Sequence, residues 1–392
     1  MTRADSQLAP SRPSLRGSGA PTAPVVAEGL ESDVSFSSKP TVFVGMSGGV
    51  DSSVAAMLLV EAGYRVVGVY MRNWSRDLPG MVCPWAEDLA DAKRVAVKLG
   101  IDFYVWDFEK AYQEKVVEYM LREFRAGRTP NPDVMCNQEI KFKLFYEKAR
   151  AAGADFIATG HYARVVDGQL MRAVDENKDQ TYFLYRISDE ALAHTIFPIG
   201  GMQKPEVKKL AAERGLHNAY KKESMGVCFV GEVSMRDFLK EYIDIRPGEI
   251  REAESERVLG VHEGAVFYTI GQRHGLYLSG VAGEVNDGMP YYVVAKDLER
   301  NIVYVSKNLN HEALWTRELR LSDVVWRNTN VRRAGPARDI DVSVRLRHRA
   351  PLIPATFDGE TLRFEREVKR PAAGQSAVLY DGEICLGGGV IA

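Results

Sequence analysis

The chain has 392 residues, with 51 Lys and Arg against 53 Asp and Glu and 45% apolar content. That length suggests about two or three domains, and the near-neutral charge excludes a bulk polycation, so any nucleic-acid partner must be held by local basic patches. Four cysteines, none in a C-x-x-C pair, exclude a disulfide-stapled scaffold and a zinc ribbon, and the longest apolar run, Val54–Val60, is far short of the roughly 20 residues of a membrane-spanning helix.

Residues 1–38 read as a disordered tail, rich in Ser, Pro, Gly and Ala with Phe36 as the sole aromatic. Arg3, Arg12 and Arg16 among serines hint at organelle targeting, but Asp5, Glu28, Glu31 and Asp33 argue against it, and a cytoplasmic location is expected. From Thr41 the pattern turns apolar. Thr41–Val44 reads as a buried strand, followed by a glycine loop, a helix from about Val54 and a second strand over Val66–Met71. A helix near Ala86–Leu99, a strand near Phe103–Trp106, a helix near Tyr112–Ala126, another helix leading to Gly153 and a strand at Phe156–Thr159 follow. Strands alternating with helices of this size predict an α/β fold with a doubly wound parallel sheet over residues 39–222. Residues 223–289 read as a small central domain. Short β-branched segments (Tyr291–Ala295, Ile302–Val305, Asp341–Leu346, Ser376–Tyr380) predict an all-β barrel over 290–392.

Gly45, Met46, Ser47, Gly48, Gly49, Val50, Asp51 and Ser52 lie between the first strand and the first helix. Glycines let backbone N–H groups approach a phosphate, and the helix N-terminus adds its dipole. No Lys precedes Ser52, so this is not a Walker A loop, and the glycine spacing does not fit a dinucleotide fold. A plain turn with Asp51 or Ser52 as helix cap is the bland alternative. Cys136 follows Asn131-Pro132-Asp133, and Asp133 would share a helix face with it. Cys228 lies between Gly226 and Gly231. Taken singly, each cysteine reads more readily as a small core residue, and Cys83 and Cys385 are read as structural.

The segment Ser47-Gly48-Gly49-Val50-Asp51-Ser52 resembles the PP-loop of ATP pyrophosphatases. Together with Gly127–Asp133, Cys136-Asn137, Ile140-Lys141-Phe142, Thr159–Tyr162, Lys178–Gln180, Gly226–Phe229 and Gly374–Val378, it resembles the tRNA-specific 2-thiouridylases from about residue 41 to the C-terminus. The resemblance implies ATP-dependent adenylation of the C2 oxygen of the wobble uridine of tRNA, then its replacement by sulfur. It makes Cys228 the carrier of a persulfide received from a sulfur-donor relay protein and Cys136 the second thiol, the two ending as a transient disulfide. It places Asn131, Pro132 and Asp133 at the target base. Met71 and Gly160 join the PP-loop residues at ATP, with Mg²⁺. His161, Lys178, Asp179, Gln180, Arg347, His348 and Gln375 would touch tRNA. The chain is expected to act as a monomer.

Basic patches would supply the grip on RNA. Residues 317–349 hold nine Arg against four acids, and residues 200–223 hold six Lys and Arg against three Glu. Three competing readings are a PP-loop synthetase that adds ammonia, an RNA-binding protein that senses nucleotide without chemistry, and sulfur delivery through an iron–sulfur cluster on Asp133, Cys136 and Cys228. The first has no use for two distant cysteines, the second none for a reactive set, and the third is less favoured than a persulfide.

Overall fold

The computed structural model describes residues 39–77, 83–222, 235–278, 289–327 and 339–392. The expected tail, 1–38, and Cys228 lie outside these residues. The first part of the chain builds the predicted β-loop-α-β unit: β1 (Thr41–Gly45), α1 (Val50–Glu61) and β2 (Arg65–Arg72). It continues through α2 (Trp85–Leu99) and β3 (Asp102–Asp107). The helix after β1 begins at Val50, four residues earlier than expected, so Asp51 and Ser52 sit in its first turn.

The expected helix near 112–126 is a run of three segments, α3 (Glu109–Tyr112), a π-helical stretch Gln113–Val117, and α4 (Glu118–Arg125). The next run starts with α5 (Pro132–Met135), passes through π-helical Cys136–Leu144 and ends in α6 (Phe145–Ala151). β4 (Phe156–Thr159) follows, then a hairpin of β5 (Arg164–Val166) and β6 (Gln169–Met171), short helices α7 (Thr181–Leu184) and α8 (Asp189–Ala193), β7 (Thr195–Ile196) and α9 (Lys204–Glu213). The sheet runs β3-β2-β1-β4-β7 and every pairing in it is parallel. Val42, Val44, Val67, Val69, Ile157 and Ala158 are buried along it, which is why these strands read as continuous apolar runs.

After α10 (Met235–Lys240), β8 (Gly248–Glu252) and β9 (Val258–His262) form one sheet with β10 (Tyr292–Asp297) and β11 (Ile302–Ser306), in the order β10-β11-β8-β9. Tyr291–Ala295 and Ile302–Val305, expected in the C-terminal barrel, thus belong to the central sheet, which crosses the expected 289/290 boundary. Sequence shows that a segment is a strand, whereas its partner is chosen by contacts far along the chain.

The barrel itself is made of β12 (Trp315–Trp326), β13 (Ile340–Arg345), β14 (Ile353–Phe357), β15 (Thr361–Lys369), β16 (Ser376–Asp381) and β17 (Ile384–Ile391). The order β12-β15-β14-β13-β16-β17 closes through a β12–β17 pairing, leaving no open edge among the six. Leu319, Val344, Phe357, Leu362 and Leu379 fill its interior. β6 pairs with β17 at Met171 and Ile384, so the β5–β6 hairpin extends the barrel sheet into the α/β domain.

Candidate active site

The glycine loop leaves β1 at Gly45 and enters α1 at Val50. Its helix has Gly49 as N-cap and no side-chain cap, in contrast to α5 and α8, which Asn131 and Ser188 cap. The expected alternative of an Asp51 or Ser52 cap is therefore not what forms. Uncapped N–H groups at a helix N-terminus suit an anion. Gly48 has φ +78, and a Cβ there would stand 2.3 Å from the carbonyl oxygen of Asp88. Only glycine fits both demands. Ser52 Oγ accepts from the N–H of Ser47 at 3.2 Å and donates to the carbonyl of Gly49 at 3.1 Å. Met46 and Val50 bury their side chains in the core, so they present backbone only.

Gly160, just beyond β4, packs so close to α1 that a Cβ would lie 2.5 Å from the amide nitrogen of Ser52. Met71 reaches Gly45, where an added Cβ would lie 2.8 Å from its terminal methyl. The structure therefore gathers the predicted loop residues, Met71 and Gly160 around one helix N-terminus.

Three further residues hold this loop; sequence reasoning quoted Tyr162 only as part of the Thr159–Tyr162 segment and did not single out Lys204 or Asn218. Lys204, first residue of α9, directs Nζ at both oxygens of Asp51, and the Tyr162 hydroxyl donates to Oδ1 at 3.0 Å. Asn218, buried, donates through Nδ2 to the carbonyl of Gly48 at 2.8 Å and to Ser53 Oγ at 2.9 Å. A lysine followed by proline at a helix start carries no sign of a partner 153 residues away.

The second cluster lies at the start of α5. Asn131 Oδ1 accepts from the N–H of Val134 at 3.4 Å, and Pro132 occupies the first turn, where its missing N–H costs nothing. Asp133 is half-buried. Cys136 is 1% exposed, packed in the same apolar cluster as Cys83, Cys385, Ile140 and Phe142. Burial pushes the Cys385 thiol up to about 12 and the Cys83 thiol upward as well, which suits inert core residues. Among the described residues, no three His, Cys, Asp or Glu side chains converge as metal ligands.

His161 joins the two clusters. It follows Gly160, and its ring packs 5.8 Å from that of Phe142, on the π-helical stretch that Cys136 opens. Its Nδ1 lies 2.8 Å from Thr159 Oγ1, and burial, aided by Lys141, holds its pKa well below the ordinary 6.5. His161 is 9% exposed and Asp179 1%. Both were expected at tRNA, and both face inward. Asp179 takes Arg345 Nη1 at 2.6 Å, with Arg172 Nε at 3.5 Å. Gln180 accepts from the N–H of Tyr162 at 2.9 Å, and Gln375 donates to the carbonyl of Thr129. Lys178 and His348 are half-buried, and Arg347 is exposed. The His348 ring lies 4.5 Å from that of Phe183, and burial with Arg349 and Arg345 nearby pulls its pKa down to about 4.

The basic counts shrink on folding. In 200–223, Lys204 serves Asp51, Lys221 pairs with Asp88 and Asp91, Arg214 with Glu61 and Lys209 with Glu213. In 317–349, Arg327 is buried against the carbonyl of Ile187, Arg345 against Asp179, and Arg320 pairs with Glu360. Residue counting takes every charge as available, but Lys204, Arg327 and Arg345 are buried and the others stand beside carboxylates.

Three family models match in succession. They are described as tRNA methyl transferase HUP domain over residues 40–232, tRNA methyl transferase PRC-barrel domain over 236–307 and aminomethyltransferase beta-barrel domain over 316–391. A tRNA-specific 2-thiouridylase MnmA of Idiomarina loihiensis is 46% identical over 360 residues, covering 89% of this chain and 95% of that protein. One of the same name from Shewanella amazonensis is 46% identical, over 92% of this chain and 96% of the other. A third, from Listeria monocytogenes, is 47% identical over 89% and 94%.

Proposed function

Because the chain belongs to the tRNA-specific 2-thiouridylases, we propose that it installs sulfur at C2 of the wobble uridine of tRNA in an ATP-dependent reaction. The observation that carries this reading is the near-full-length identity to 2-thiouridylases. The geometry agrees with it: an uncapped phosphate-type loop and a cysteine-bearing helix meet across Gly160 and His161. The wording of two family models names methyl transfer instead. A sulfonium methyl donor has no triphosphate for such a loop to hold, whereas adenylation requires one.

In this reading the N–H groups from Gly48 to Ser52 hold the triphosphate of ATP, with Lys204 adding positive charge and Asp51 orienting Lys204 or Mg²⁺. The uridine C2 oxygen attacks the α-phosphorus and pyrophosphate leaves. Asp133, with Asn131 and Pro132, holds the flipped base. Cys228 carries sulfane sulfur supplied by a relay protein. In the direct route the terminal sulfur of the Cys228 persulfide attacks C2, AMP departs, and Cys136 then attacks Cys228 Sγ to break the S–S bond and release the 2-thiouridine; in the other, Cys136 first attacks Cys228 Sγ and frees sulfide, which attacks C2 and displaces AMP. Both routes leave a Cys136–Cys228 disulfide, which two electrons from an external thiol return to thiols.

The test is mass analysis of tRNA nucleosides after incubation with ATP, reductant and a persulfide donor. 2-Thiouridine and AMP should appear together. AMP without thiouridine under anaerobic conditions, with thiouridine restored only by iron and sulfide, would favour the cluster alternative over the persulfide.

A further inference from the structure

Thr129 is held at each of its hydrogen-bonding groups by a different neighbour, and all of these lie in the two β domains. Its N–H donates to the carbonyl of Ala373 at 2.8 Å, and its carbonyl accepts from Gln375 Nε2 at 2.9 Å. Its hydroxyl lies 3.3 Å from that of Thr269. Thr269 is seated in turn, with its N–H on Gln272 Oε1 at 3.1 Å and Lys296 Nζ on the carbonyl of adjacent Tyr268 at 2.9 Å. Two residues before Thr129, Gly127 packs against Leu298, whose Cδ1 a Cβ would meet at 2.9 Å. Ala373 and Gln375 lie in the turn just before β16 of the barrel, while Thr269, Lys296 and Leu298 belong to the central domain.

From Thr129 the chain runs Pro130-Asn131-Pro132 into α5, with Asp133 in the first turn and Cys136 at its end. Two prolines have fixed φ, so little of a displacement at Thr129 is absorbed before Asp133. We infer that Thr129 is a positioning residue for sulfur transfer, through which the central and C-terminal β domains set the orientation of Asp133 and Cys136. The inference rests on the 2-thiouridylase reading. It adds a role for the β domains beyond any grip on RNA.

The experiment compares steady-state thiolation by the full-length protein and its Thr129→Val, Thr129→Ser, Thr269→Val and Thr129→Val/Thr269→Val variants. Valine keeps the volume and backbone bonds of threonine and removes the hydroxyl. Thr129→Val should lower kcat about tenfold, the scale of a small misplacement of reacting groups, while KM for tRNA and for ATP stays within about twofold. Thr129→Ser should recover most of kcat. The double variant should be no worse than the weaker single one, because both remove the same contact. Unchanged kcat in Thr129→Val, a serine variant as slow as valine, or fully additive losses would each overturn the inference. A wild-type protein that makes no 2-thiouridine would overturn the parent reading instead, and this inference with it.

Discussion

The ammonium nitrogen of Lys204 stands 2.6 and 2.8 Å from the two carboxylate oxygens of Asp51. The loop that Asp51 ends has no lysine of its own, so a second helix brings the cation to it. Lys204 is itself anchored, its N–H donating to Asp175 Oδ2 at 2.9 Å.

Lys204→Met should therefore reduce tRNA-dependent conversion of ATP to AMP and pyrophosphate by about a hundredfold, the scale for losing one preorganised electrostatic group. Asp51→Ala should do the same. Labelled ATP resolved by chromatography gives the answer. ADP as the stoichiometric product would remove adenylation altogether, and a Lys204→Met protein at wild-type rate would remove that lysine from the site.

Arg345 ends β13 and Arg347 lies two residues on, in the turn that follows, yet one is buried on Asp179 and the other exposed. Arg345→Ala should cost about 3 kcal/mol of stability, because a buried carboxylate loses its closest partner. Arg347→Ala should leave the melting temperature alone and weaken tRNA binding, lowering the salt slope by about one phosphate contact. Thermal melts and filter binding across a salt series separate the two. Equal effects of both variants on both measurements would show that the segment is not divided in this way.

Cys136 and Cys228 should behave differently under substitution. Cys228→Ser should fail to take up sulfane sulfur, since a hydroxyl cannot carry it. Cys136→Ser should accumulate a persulfide on Cys228 and form little thiouridine. Alkylation followed by intact-mass analysis reads both states. A fully active Cys136→Ser protein would end the two-thiol scheme.

Acid should loosen the fold before carboxylates titrate. His161, His262 and His348 all bind protons less readily than the ordinary value of 6.5, burial being the main cause in each. Unfolding frees them to protonate below about 6.5, so the unfolded state then holds more protons and stability falls with pH. Each histidine adds a slope of up to about 1.4 kcal/mol per pH unit until its folded-state pKa is reached. Urea midpoints should fall from pH 7.5 to pH 5.0. His348→Phe, which keeps a ring against Phe183, should flatten the trend. A flat wild-type profile would mean that these rings are already protonated or exposed.

The parallel sheet was legible because β1, the middle of β2 and β4 are continuous apolar runs separated by helix-length segments. The glycine loop was legible because its residues are contiguous. Lys204 and Asn218 were not, since each reaches the loop from a distant part of the chain and neither has an unusual neighbourhood in sequence. The central sheet was misread at β10 and β11 for the same reason: β11 pairs with β8, some fifty residues earlier. His161 and Asp179 carry polar side chains that sequence places at a surface. Their burial became visible only with Thr159 and Arg345 beside them.

The pairing of Met171 with Ile384 sets an order of assembly. β6 leaves the ribosome about two hundred residues before β17 does, a delay of about 10–40 s at bacterial-like or slower elongation rates. Until the last strand emerges, the hairpin has an open flank and the barrel an unsealed seam. A nascent chain released early would expose both at once. Emergence of β17 thus completes the seam and the hairpin in one event, and a product that stops short of β17 advertises its incompleteness to chaperones and proteases by that bare edge.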